Sequence, residues 1–430
     1  MQPRRLQRVF AWAAILLLPW PALRPFDAAL TFGDMALVPA ILLNLDRIQR
    51  IHSWQIPMLL ALPLILVSQA IDADASIIEV GQAAYIFGIV LPFGWVAFAG
   101  FRPRNLVYGV LISMGISSLV AGLQLAGVLD AVGRSSIWTV FGAVRSAGLN
   151  ISCSGLCMAI SPMFALLLYV PSHRWRIGLL GVLLLGLVAT LAKSAIFASV
   201  GLLFYLVREP NRRGIVTLGT VLVLLVTSVF VLSPHLQETV DVVTTTVSVR
   251  IDRADISLWE RTSTLRFAMG YVPECWFTGL GYMGTSRELT QHLGNTVHIF
   301  HLGIVLVGGL PAAMLHYAGV ILLVGALYRS GHYPTAMMLI CHMLALCTMT
   351  VLMLSFQYVP FLVAGAILNW QFELTNQSQP VGQPLHRRAM SPLTPIVQAS
   401  GERQLSGPLN CGENRSAHAD RSPAQCFEAH

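Results

Sequence analysis

Runs of about 15 to 25 nearly uninterrupted apolar residues recur along the chain, separated by short segments of arginine, proline and glycine. A helix of about 20 residues spans the hydrocarbon core of a bilayer, roughly 30 Å thick, so each run is read as a candidate span. The pattern predicts helices near 9–24, 28–44, 54–71, 77–100, 106–128, 151–170, 177–191, 194–207, 215–233, 298–327, 334–353 and 357–373. The expected fold is an all-α polytopic membrane protein with about twelve transmembrane helices. Its membrane domain covers 1–374, and a disordered cytoplasmic tail follows over 375–430, where Gln, Ser, Pro, Gly and Arg replace the apolar periodicity.

Arginines sort by side. With the N-terminus and Arg4, Arg5 and Arg8 inside, Arg47, Arg50, Arg102, Arg104, Arg174, Arg176, Arg208, Arg212, Arg213, Arg329, Arg387 and Arg388 all fall on the same side. That is the distribution the positive-inside rule requires, and it places both termini in the cytoplasm. Two connections on the outer side are longer than packed helices need, 129–150 and 234–297, the latter preceding the tenth predicted helix. Long loops tend to carry function.

Composition sharpens this picture. Of 430 residues, 55% are hydrophobic and 11% charged, with a mean hydropathy of +0.68. A soluble domain carries about 25% charged residues, so cytosolic enzymology and nucleic-acid binding are excluded together, despite a net charge of +7. The N-terminal run resembles a signal peptide, but Pro19, Pro21, Arg24 and Pro25 stand where a cleavage site needs small residues, which predicts a retained span. Seven cysteines without a Cys-x-x-Cys pair predict neither a disulfide framework nor a zinc site.

The candidate chemistry lies in the outer loops. Arg261 begins the pattern Arg261-x3-Leu265-x2-Ala268, followed by Val272 and Trp276-x2-Gly279-x-Gly281. Downstream stands His298-x2-His301-Leu302-x6-Gly309-Leu310-Pro311, and upstream Arg145-Ser146-Ala147-Gly148-Leu149-Asn150. Thr190-x-x-Lys193-Ser194-Ala195 separates two short helices, and Lys193 is the only lysine in the chain. An ionisable residue between two apolar segments is costly and marks function. Its structural alternative is snorkelling to the interface. His298, near a helix start, could simply satisfy a free backbone group, His301 reads as a packing residue, and Gly279 and Gly281 could form a turn without a ligand. Asp72 and Asp74 form a compact carboxylate pair, but short acidic outer loops are common.

These four motifs, in their order along the chain, resemble the bacterial O-antigen ligase and O-antigen polymerase family. The chain departs from that family's pattern at Leu265, Trp276, Ile299 and Val307. The resemblance implies a metal-independent, cofactor-free glycosyltransferase of the inner membrane, acting on its periplasmic face. Its donor is a glycan on undecaprenyl diphosphate, and its acceptor is a hydroxyl of lipid A core or of a growing glycan. Arg261, with Arg145 and Lys193, would bind the diphosphate, since guanidinium forks suit phosphate oxygens. His298 would act as general base on the acceptor, with Gly279 and Gly281 shaping the loop. Ligation and polymerisation use the same donor and are not separated at this level. The competing class is a transporter or flippase of a glycolipid or other anion, which needs charged groups near the midplane of several helices.

Overall fold

A computed structural model of the chain describes residues 3–25, 30–48, 50–72, 76–135, 137–140, 143–190, 195–208, 265–281, 300–347 and 355–377. They belong to one compact unit, 1–383; a second unit, 384–430, lies outside the described residues.

Helices dominate. They are α1 (Pro3–Leu17), α2 (Phe32–Leu42), α3 (Gln55–Ile71), α4 (Ile77–Phe98), α5 (Pro103–Leu125), α6 (Cys153–Tyr169), α7 (His173–Thr190), α8 (Ala195–Arg208), α9 (265–275), α10 (Phe300–Arg329), α11 (Tyr333–Leu346) and α12 (Val359–Gln377). Among these, helices coincide with eleven of the twelve predicted runs, and the ninth run, 215–233, lies outside the described residues. Among the described residues four helices, α4, α5, α7 and α10, are long and apolar enough to cross a membrane; α2, α3, α6 and α11 are shorter apolar helices. Large apolar side chains such as Leu60, Ile112, Leu119 and Ile321 are exposed on the outer surface of the helices. Such a surface suits lipid rather than water. The protein is a mostly helical membrane protein.

Boundaries follow local chemistry. α1 starts at Pro3, earlier than the charge pattern predicts, and stops before Pro19 and Pro21, where a proline restricts the residue before it and lacks a donor. α2 and α4 open on reciprocal capping boxes, Thr31 with Asp34 and Ser76 with Glu79. Within α4, Ala84–Val90 forms a π-helical segment that holds Tyr85. α12 continues to Gln377 and so takes in the first three residues of the predicted tail. The most extensive pairings set α10 along α3, α5 along α7 and α1 along α2.

Two features depart from the sequence expectation of helices and plain loops. In the connection 129–150, β1 (Ile137–Val140) and β2 (Ala143–Ser146) pair antiparallel, with Trp138 opposite Arg145. Their β-branched and aromatic residues favour a pleated pair. The second is in α10, read from its apolar run as one continuous helix: it is broken at Gly309, whose φ of 79° and ψ of 167° are not helical, and Pro311 follows inside the helix.

Candidate functional site

The break in α10 is completed by the turn that follows α9. Proline at 311 has no N–H, so the carbonyl of Val307, four residues earlier, loses its helical donor. Ser68 Oγ of α3 donates to it instead, and the same hydroxyl accepts the Gly281 N–H at 3.0 Å. Two further backbone groups freed by the break pair across to the turn: Leu280 N donates to Leu306 O at 2.6 Å, and Leu310 N donates to Trp276 O at 2.6 Å. Every one of these groups would be costly to leave bare at membrane depth.

This docking requires glycine. Gly279 and Gly281 have φ of 75° and 73°. A Cβ at Gly279 would stand 2.6 Å from Val307 O, and one at Gly281 would stand 2.7 Å from the Asp72 carboxylate. The two loop glycines singled out from sequence are thus seated against the α10 break and against Asp72 at the end of α3. The residues of the same motif upstream form the buried face of α9: Leu265, Ala268 and Val272 pack with Cys275 onto Leu302 and Leu306 of α10. Burial pushes the Cys275 thiol up from its ordinary value, and it donates to Tyr271 O at 3.1 Å.

A second meeting joins the other two motifs. Arg145 of β2 donates from Nε to Thr190 O at 3.2 Å, at the C-terminal end of α7, where a cation is favoured by the helix dipole. Beyond β2, Gly148 turns the chain with φ of 60°, and its N–H donates to Gln124 Oε1 at 2.9 Å. A Cβ there would collide with Ser117 O. Leu149 N is held by Ser117 Oγ at 3.1 Å. Around this segment Asn150 Nδ2, Ser146 Oγ and Ser118 Oγ are buried without a hydrogen-bond partner among the described residues. Buried orphan polar groups are uncommon in native proteins and mark positions where a further polar partner would be favourable.

One further buried polar residue was passed over in the sequence reading. Asp34, 1% exposed, accepts from Thr31 N at 2.8 Å, Thr31 Oγ1 at 2.7 Å and Tyr85 Oη at 3.0 Å, and from Ser355 Oγ. The available signal was an acid inside an apolar run, three residues after a threonine. His301 is held through both ring nitrogens, by Tyr317 Oη at 2.7 Å and Met343 O at 2.9 Å, a packing arrangement. Arg261, His298, Lys193 and Asp74 lie outside the described residues. Among the described residues no group of three His, Cys, Asp or Glu side chains is arranged to hold a metal.

The hydrogen bonds of Ser68, Arg145 and Gly148 lie where α3, α7 and α5 end, and those of Asp34 where α2 begins. Ala22 N bonds to Leu149 O at 3.2 Å, which ties the end of α1 to the Gly148 turn. No protein-family model matches the chain, and no curated protein is significantly similar to it. Fold and site together define a helical membrane protein with a polar, partly unsatisfied cluster at one end of its helices.

Proposed function

We propose that the protein is an inner-membrane glycosyltransferase that moves a glycan from undecaprenyl diphosphate to an acceptor hydroxyl at the periplasmic face, as an O-antigen ligase or a repeat-unit polymerase. The observation that carries this reading is the pairing of sequence-distant motifs. Arg145 meets Thr190, three residues before Lys193, Gly279 meets the Gly309 break, and Gly281 meets Asp72 and Ser68. A transporter needs charged groups near the midplane of several helices, whereas a transferase must assemble diphosphate and acceptor groups at one surface. Departing diphosphate is a good leaving group that chiefly needs cationic stabilisation, supplied here by Arg145, Lys193 and Arg261. His298 takes the acceptor proton.

A deletion strain tests this directly through its surface-glycan gel. Loss of a polymerase leaves single-repeat glycan, and loss of a ligase leaves long chains stranded on the lipid carrier. An unchanged gel, with carrier-linked glycan at its normal level, overturns the proposal. The same reading places both termini in the cytoplasm and 234–297 in the periplasm. Reporter fusions at 280 and 400 are expected to signal on opposite sides, and a periplasmic signal from the tail defeats that topology.

A further inference from the structure

At the opposite end of the helices, where α1 and α5 begin and α2 ends, a polar cavity of about 460 Å³ opens between three elements. Arg8 of α1, Arg47 just after α2 and Arg102 just before α5 all line it, together with the amides of Asn44 and Asn105. Among the described residues no carboxylate lines it; Asp46 is the chain neighbour of Arg47 but is not among the lining residues. The positive-inside rule accounts for arginines at this end of the helices. It does not account for three of them, from separate parts of the sequence, around one concavity.

Two further properties narrow the ligand. The 23-residue helix α5 starts at this cavity with Arg102 as its N-cap and Pro103 at its first position, and no side chain caps it. The positive end of that helix adds to the arginine field. One wall is apolar: Trp12 and Phe101, both lining residues, stand edge to face with centroids 5.2 Å apart. Guanidinium groups present planar forks that match phosphate oxygens, and the aromatic wall suits the uncharged stem that carries a phosphate.

We propose that Arg8, Arg47 and Arg102 form a binding site for a phosphate-bearing anion, distinct from the glycan-transfer site and separated from it by the length of α5, about 34 Å. The site takes a single phosphoryl group, either the headgroup of an anionic phospholipid or a free phosphoanion. Basic pockets between membrane helices are suited to such headgroups. The inference does not depend on the glycan-transfer reading.

The test uses the purified full chain in neutral detergent, with phosphatidylglycerol, phosphatidylcholine and inorganic phosphate as probes in native mass spectrometry. Wild-type protein is expected to bind phosphatidylglycerol at least tenfold better than phosphatidylcholine. The triple variant Arg8→Gln, Arg47→Gln, Arg102→Gln should lose that preference, while Arg174→Gln with Arg329→Gln, two arginines of the same side outside the cavity, should keep it within twofold. Replacing all three cavity arginines by lysine preserves the charge, so it guards against a folding defect and is expected to weaken binding severalfold. Displacement of the lipid by millimolar inorganic phosphate assigns the site to a free phosphoanion; retention of the lipid assigns it to a headgroup. Equal binding of both lipids by the wild type with no phosphate adduct, equal losses in the cavity and control variants, or full binding by the lysine variant overturns the proposal.

Discussion

His298→Ala is expected to lower glycan transfer by about 10²- to 10⁴-fold at unchanged membrane abundance, the range that removal of a positioned general base produces. Arg261→Lys is expected to fail differently. Lysine keeps the charge but replaces a bidentate fork with a point charge, so a diphosphate clamp built on Arg261 loses geometry rather than attraction. Donor affinity should fall for Arg261→Lys and stay near wild type for His298→Ala. Transfer assayed with purified protein and a lipid-linked donor, with donor binding measured separately, resolves the two defects. Wild-type transfer by both Arg261→Ala and His298→Ala at native abundance removes the catalytic reading, and the loop is then a structural cap over the helices.

The helices were legible because the same apolar run that a bilayer demands also fixes where a helix can persist. Their starts were less so: α1 reaches back to Pro3 because proline at the first helical position costs nothing, a fact that the hydropathy pattern around Arg4, Arg5 and Arg8 hides. The break in α10 was written in Gly308-Gly309-Leu310-Pro311, but the residues around it are as apolar as the rest of the helix. What makes the break tolerable is a set of partners elsewhere in the chain: Ser68, Trp276 and Leu280. Sequence spacing marks Gly279 and Gly281 as unusual without revealing that their neighbours are backbone atoms of another helix. Asp34 was missed for the same reason. Its burial is compensated by Tyr85, 51 residues away, and Ser355, 321 residues away, and no local pattern announces either partner.

The seating of the loop on α10 predicts a large structural effect from one methyl group. Gly309 occupies φ 79° and ψ 167°, a region that only glycine populates readily, and any other residue there costs about 1–3 kcal/mol. A Cβ would also run into Phe277 O, in the strand of chain that carries the Trp276 acceptor. If that strand shifts, the hydrogen bonds Leu310 N to Trp276 O and Leu280 N to Leu306 O weaken together, each worth about 1 kcal/mol net. Gly309→Ala is therefore expected to destabilise the protein by about 3 kcal/mol or more, a more than hundredfold shift in the folding equilibrium. It should show as a lower melting temperature in detergent and reduced membrane abundance. Gly325→Ala in the same helix supplies the contrast. A Cβ there meets nothing within 4 Å. Alanine in a helix interior is favoured over glycine by about 0.5–1 kcal/mol, so this variant should melt at or above the wild-type temperature. Equal melting temperatures for Gly309→Ala and Gly325→Ala would show that the α10 break and its docked loop do not form as described.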